Sequence, residues 1–308
     1  MIKKILGFIF RLILIAVIIG VPCTWMIRRS YNNPEVHYYE REEQKGTESL
    51  RFAILSDLNG YVFAGGNSQI VDNIAAVSPD AILMAGDMIS AGEENVSSTV
   101  SLIERLSAIA PVYYAYGEQE YLYVSGGAAD HSLAMSGETQ KEKEFDTQIT
   151  EAGATVLKES YIDTMLYGIP LRIGSTDGSA RSLVMGNGQI NPVGERLNAL
   201  LTDFKDTKSY KIMLSNKVDH FLGVPEEIMD GIDLTVCGHL IGGRVVVPYF
   251  GGVFGGVQGY FPTFTCGFDN GSSKPLLLTT GLSAVKDRVP RFNNPPEIAV
   301  LDVSGLTR

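Results

Sequence analysis

Five places along this chain carry side chains suited to holding a cation and handling phosphate. Ser56-Asp57-Leu58-Asn59, Ala85-Gly86-Asp87 and Tyr116-Gly117-Glu118-Gln119-Glu120 each follow an apolar run. Asn216 follows another, and Cys237-Gly238-His239-Leu240-Ile241-Gly242-Gly243-Arg244 follows a fifth. Carboxylates and imidazoles converging from several strand ends are what a pair of cations requires. Held about 3.5–4 Å apart, two such ions activate water and stabilise a phosphate during in-line attack. Each residue also has an ordinary reading. Asp after a strand caps turns. Asn59 and Asn216 serve equally as hydrogen-bonding groups, and His239 as a neutral, hydrogen-bonded imidazole. Arg244 is a phosphate contact or a surface residue.

These positions need a scaffold that brings strand ends together. Residues 50–55, 80–85 and 111–116 are short apolar runs of buried-strand type, each ending at one of the motifs. Between them, residues 67–77 space Ile70, Ile74 and Val77 as a helix does, closed by Ser78-Pro79. Residues 96–109 repeat the pattern through Val100, Ile103, Leu106 and Ile109. Strand–helix alternation of this kind predicts an α/β fold with parallel strands. Its ligand crevice lies outside the carboxyl ends of those strands. Downstream, residues 121–137 form a Gly-, Ser- and Ala-rich insert, 137–152 a helix and 154–175 a hairpin. Residues 210–215, 233–237, 243–248, 276–280 and 298–303 read as strands, and 251–259 as a glycine-dense loop. That loop lacks the Lys-Ser/Thr of a P-loop.

In order and spacing the motifs resemble the calcineurin-like metallophosphoesterases, whose pattern is D-x-H, G-D, G-N-H-E, a lone His, then G-H-x-H. The tail, Gly281-Leu282 and then Pro290-Arg291-Phe292-Asn293-Asn294-Pro295-Pro296-Glu297-Ile298, resembles the bacterial membrane-anchored branch. The resemblance covers residues 50–303 and implies a four-layer α/β sandwich. It also implies that Asp57 binds a first metal and Asp87 bridges two. This chain departs from the pattern at several points. Asn59 stands for the first His, Glu118 for the Asn of G-N-H, Gln119 for the catalytic His, Asn216 for the lone His and Ile241 for the last. The first site then has Asp57, Asn59 and Asp87 and is expected to be empty. The second has Asp87, Glu118, Asn216 and His239, enough for one ion. An oxygen-rich set of this kind favours Mn²⁺, Mg²⁺ or Ca²⁺ over Zn²⁺. Gln119 can donate a hydrogen bond but is no proton donor, and missing general acid catalysis lowers rates about 10²–10⁴-fold. His131, in the insert, is a candidate substitute acid; His37 and His220 read as surface residues.

Charge is unevenly spread. The first 29 residues hold five basic residues and no acid, leaving 20 basic against 35 acidic residues and a net charge of −15 for the remainder. That opposes electrostatic binding to nucleic acid or to an anionic lipid surface. Cys23, Cys237 and Cys266 form no disulfide framework and no Cys-x-x-Cys site. Residues 5–27 are apolar except for Arg11, long enough at about 1.5 Å per residue to cross a hydrocarbon core of about 30 Å. Arg11 can snorkel, and Trp25 suits the interfacial belt. A cleaved signal peptide is the rival reading, but no small-x-small cleavage site follows. The basic N-terminus favours N-in, with the globular domain outside the cytoplasm.

The expected architecture is therefore a transmembrane signal anchor (1–29), a polar linker (30–48) and an α/β metallophosphoesterase-type domain (49–308). The expected function is that of a phosphoesterase relative with a degenerate di-metal site, a pseudoenzyme binding a phosphorylated envelope ligand or a protein partner. The alternative is a divergent metal-dependent hydrolase with a single-metal, oxygen-rich site, acting on a lipid or cell-wall precursor.

Overall fold

The structure is a computed structural model and describes residues 2–32, 34–92, 95–126, 138–176, 192–217, 230–240, 242–255, 259–262, 265–268, 275–285 and 289–308. Two six-stranded sheets pack face to face, with helices on both outer faces. The first sheet contains β1 (Glu35–Glu42), β2 (Glu48–Leu55), β3 (Ala81–Ala85), β4 (Val112–Ala115), β5 (Ala154–Leu157) and β14 (Glu297–Leu306), in the order β1-β14-β2-β3-β4-β5. The second contains β6 (Ser160–Leu166), β7 (Ile169–Ser175), β8 (Tyr210–Ser215), β9 (Leu234–Cys237), β12 (Gly267–Phe268) and β13 (Leu276–Leu278), in the order β12-β13-β9-β8-β7-β6. A separate hairpin joins β10 (Val245–Val247) to β11 (Gly251–Phe254). The expected four-layer α/β sandwich is the architecture observed.

Period-two alternation sorts the core. On β3, Ile82 and Met84 face the helices α2 (Ser68–Val77), α3 (Val96–Ser107) and α5 (Gln140–Glu151), where they meet Ile74, Ile103 and Phe145. Ala81, Leu83 and Ala85 face the second sheet, with Phe52, Ile212 and Val236. On the far side of the second sheet, Met213 and Leu278 pack under Leu201 and Phe204 of α6 (Pro192–Lys205). Central strands apolar on both faces are the mark of a sheet covered on both sides. The strands that matter here run parallel: β2 beside β3 beside β4, and β8 beside β9.

Residues 30–48 are not a linker. Glu35 through Glu42 form β1, which pairs in parallel with β14 over its whole length. Its alternating polar residues fit an edge strand with one solvated face. His37, read as a surface residue, lies with its Nδ1 3.0 Å from the buried Glu297 carboxylate. The glycine-dense stretch 251–259 begins with β11, so it is not all loop. The hairpin read over 154–175 is confined to β6 and β7, while β5 joins the other sheet. The helix α6 had no sequence reading.

The N-terminal helix α1 (Ile2–Asn32) is long and apolar enough to cross a membrane by length and composition, a description a signal sequence also meets. Its last turn is tied to the domain: the Tyr31 hydroxyl accepts from the Arg291 backbone N–H at 2.9 Å, and the Ser30 hydroxyl from that of Asn294 at 3.1 Å.

Candidate metal centre

The carboxyl ends of β2, β3 and β4 meet those of β8 and β9. Asp57 and Asp87, just past β2 and β3, are buried, and both hold a left-handed backbone, φ 55° and 54°. Asn59 and His239 do the same, at 50° and 68°. Left-handed non-glycine residues are uncommon and cost about 1–3 kcal/mol each. Four in one crevice mark backbone turned to aim side chains.

Asp57, Asp87 and His239 offer ligand atoms that all lie within 4.8 Å of one another. Asp57 is fixed by its Oδ2, which accepts from the Ser56 hydroxyl at 2.5 Å and the His239 backbone N–H at 2.8 Å. The His239 Nδ1 stands 4.0 Å from Asp87 Oδ2, too far for a hydrogen bond and close enough for charge attraction. Burial, and then the charge of Asp87, pushes the Asp57 carboxyl up to about 6. His239 is raised in turn, first by Asp87 and also by Asp57, against the opposing effect of burial. Crowded anionic charge of this kind is what a cation relieves.

Glycines make room for this packing. A side chain at Gly238 would overlap Ser56 Oγ and Asp57 Oδ2. At Gly281, with φ 67°, a Cβ would stand 2.9 Å from Asp57 Cβ. Gly86 and Gly117 pack against each other and against Asn216. The tail supports the same loop. Buried Arg291 donates to the carbonyls of Thr280 and Ser283 at 3.2 and 2.6 Å. It also donates to those of Asn294 and Pro295 at 2.9 and 3.1 Å. Burial lowers this guanidinium to about 10.

The other sequence-predicted residues are placed as follows. Asn216 is fully buried beside Asp57, its Nδ2 3.4 Å from Asp57 Oδ1, and its own Oδ1 has no hydrogen-bond partner. Asn59 turns its amide back to the Asp57 carbonyl at 3.2 Å. Glu118 lies outside the three-residue cluster and is ion-paired with Lys217 at 3.0 Å. Gln119 accepts from the Ala91 N–H at 3.1 Å, while its backbone N–H donates to Asp87 Oδ1 at 2.9 Å. Arg244 donates to the Val289 carbonyl at 3.2 Å. Ile241, His131 and His220 lie outside the described residues.

Glu120 had no role in the sequence reading, although it closes the Gly117-Glu118-Gln119 motif. Its buried carboxylate accepts from the backbone N–H groups of Asp87, Met88 and Gly117, each at 2.8 Å, and of Ile89 at 3.2 Å. The Tyr114 hydroxyl adds a fifth donor at 2.8 Å. Burial and the charge of Asp87 push it up to about 7. Every partner is a donor, which favours the ionised form. Glu120 therefore holds the Asp87 loop onto α4 (Glu118–Val124). A groove of about 620 Å³ lined by Arg51, Asp80 and Asp302 opens at the opposite edge, where β2 begins, away from this cluster.

The residues present fit one divalent cation better than two. Asp57, Asp87 and His239 supply three donors, and the unpartnered, buried Asn216 Oδ1 beside Asp57 is a fourth of the right chemistry. Glu118 is committed to Lys217.

Among solved structures, the fold is similar to the Thermus thermophilus sulfate thiohydrolase SoxB, at 12% identity over 90% of this chain and 58% of that one, with a TM-score of 0.42. It is similar to the Haemophilus influenzae NAD nucleotidase, at 14% identity over 64% and 39% of the two chains, with a TM-score of 0.39. It is also similar to the Mycobacterium tuberculosis phosphopantetheinyl hydrolase, at 14% identity over 64% and 83%, with a TM-score of 0.37. No protein-family model and no curated protein matches the sequence.

Proposed function

We propose that this chain is a membrane-anchored relative of the calcineurin-like phosphoesterases that binds, rather than turns over, a phosphorylated ligand of the cell envelope. The observation that carries the reading is Gln119. It stands where the resembling family places its catalytic histidine, it has no proton to give, and its side-chain oxygen is held by the Ala91 N–H. Asp57, Asp87, His239 and Asn216 would hold one cation. That cation, Mn²⁺, Mg²⁺ or Ca²⁺ by the oxygen-rich donor set, would supply a positive charge for a phosphate oxygen. The chain itself positions these donors through Glu120, Ser56 and the glycines at 238 and 281. Helix α1 serves as the anchor, with the domain on the outer face of the membrane.

A divergent hydrolase is the second reading. The observation on its side is that the two carboxylates and the histidine still converge. Full-length protein in nanodiscs distinguishes the two. Mn²⁺ binding by calorimetry and hydrolysis of a generic phosphodiester are measured beside an Asp87→Asn control. Cation binding that Asp87→Asn abolishes, without turnover above that control, is the expected result. Mn²⁺-dependent turnover that requires Asp87 would replace the binding reading with the hydrolase one.

A further inference from the structure

Four large aromatic side chains stand in solvent on one flap beside the crevice. Tyr249 and Phe250, in the turn between β10 and β11, are 106% and 83% exposed; Tyr260 and Phe261 are 76% and 75% exposed. The second pair lies alongside the hairpin: the Phe261 N–H donates to the Val253 carbonyl at 3.0 Å, and the Tyr260 ring meets Phe254 edge-on at 5.4 Å. Two of the four, Tyr249 and Phe261, hold left-handed backbones at φ 70° and 55°. That conformation is an outlier for bulky residues and persists where the surroundings impose it. Apolar rings clustered in water mark an interaction surface.

The sequence of the flap narrows the partner. Val245 through Phe268 contains no charged residue, the longest such run in the chain, inside a region whose net charge is −15. A basic protein or nucleic acid would find no counter-charge here. A lipid surface asks for this composition, because Tyr and Phe settle at the boundary between headgroups and acyl chains and a buried charge there is penalised.

The flap also shares a foundation with the anchor. The Val246 N–H donates to the Phe292 carbonyl at 3.0 Å, and the Phe292 N–H to the Arg244 carbonyl at 2.8 Å. The neighbouring Arg291 and Asn294 are the residues bonded to Tyr31 and Ser30 at the end of α1. Asn294 Nδ2 donates to the Gly243 carbonyl at 2.8 Å. Trp25, also exposed, lies six residues before Tyr31, about 9 Å along the helix axis. Helix exit and flap thus rest on one shared segment, residues 291–294.

We infer that the β10–β11 flap is a second membrane contact, with Tyr249, Phe250, Tyr260 and Phe261 seated in the lipid interface beside the anchor. The inference rests on α1 being a membrane span. Only Leu240 to Arg244 separate His239 from the flap, so this contact brings the crevice down to the headgroup layer. Its ligand would then be a phosphate carried at the membrane surface rather than one free in solution.

Trp25 is the only tryptophan, which permits a direct test. Full-length protein is reconstituted in phosphatidylcholine vesicles brominated near the top of the acyl chain. Unaltered protein reports on the anchor through Trp25. In a Trp25→Phe background, Phe250→Trp and Phe261→Trp report on the flap. Tyr167→Trp is the reference: Tyr167 is exposed in the β6–β7 turn, at the opposite end of β7 from the crevice. The expected result is bromine quenching at positions 250 and 261 several-fold above that at position 167. Quenching no greater than at 167, with Trp25 quenched, overturns the inference and leaves the anchor standing. Unquenched Trp25 removes the anchor on which the inference rests. Blue-shifted flap emission that depends on protein-to-lipid ratio and not on bromine would assign the flap to a second copy of the chain, which also overturns it.

Discussion

Asp57 is buried, sits in a left-handed backbone and is pushed up to about 6. A carboxyl whose folded value is raised weakens folding as pH climbs through the interval from its ordinary 3.8 to that folded value. Above pH 6 and without divalent cations, Asp57→Asn should therefore stabilise the protein, by about 1–3 kcal/mol. The amide of Asn216 can reverse to offer its unpartnered oxygen to the new amide. The same substitution should abolish the rise in Tm that Mn²⁺ gives the unaltered protein. Both effects are read by thermal unfolding with EDTA and with Mn²⁺ at pH 7.5. Glu120 gives the opposite case. Glu120→Ala leaves four backbone N–H groups and the Tyr114 hydroxyl without their acceptor and should cost about 3 kcal/mol or more in denaturant unfolding. Asp57, Asp87 and His239 were legible in the sequence because each follows an apolar run, where an α/β fold places its site. Glu120 was not, because its partners are mostly main-chain donors that no sequence pattern displays. The Glu118–Lys217 pair was hidden for a related reason: the two residues come from different strand ends, and only the fold makes them neighbours.

Strand β1 shows how an element escapes a reading based on apolar periodicity. Its charged residues resemble a linker, yet it closes one edge of the first sheet, and its His37 and Tyr39 both reach the buried Glu297. His37 is raised by its hydrogen bond to Glu297. In Glu297 burial acts upward, but bonds from His37, Tyr39, Thr280 and Thr279 outweigh it and hold the carboxyl below its ordinary value. The signs then differ. The contribution of His37 is complete below its ordinary 6.5 and disappears as pH rises through its raised value. That of Glu297 is complete above its ordinary 4.5 and disappears as pH falls through its lowered value. Comparing His37→Gln with the unaltered protein across pH, the Tm deficit should be largest near pH 5–6 and should shrink towards pH 9. Glu297 also accepts from the Thr279 hydroxyl and the Thr280 N–H, just before Gly281 beside Asp57. Gly281→Ala should weaken Mn²⁺ binding in calorimetry and also lower Tm, because its Cβ presses on Asp57 and a side chain is strained at φ 67°. Helices α2 and α3 were readable from apolar spacing; α5, also read as a helix, carries a Thr139/Glu142 capping box.

For the whole molecule, the apolar layer between the two sheets is one of three buried clusters among the described residues, beside those under the helices on either outer face. Phe52→Ala, at a fully buried position in that layer, should cost about 3–5 kcal/mol by chemical denaturation. The four layers were legible through the family resemblance; the strand–helix alternation agreed with it, and parallel strands apolar on both faces are covered on both faces. What composition concealed was the junction of α1 and the domain. There Ser30 and Tyr31 bond to residues more than 250 positions away.

That junction also imposes an order of events. Strand β14 lies between β1 and β2, pairing in parallel with the first and antiparallel with the second. On the ribosome, β1 and β2 emerge early and wait for more than 200 further residues before their common neighbour is made. Until then β1 has no partner strand, and the residues that hold the end of α1, Arg291 and Asn294, do not exist. The sheet therefore closes from its late end. A chain that stalls before residue 297 would carry β1 and β2 without their common neighbour and its first sheet would stay open, in a form that surveillance proteases could recognise.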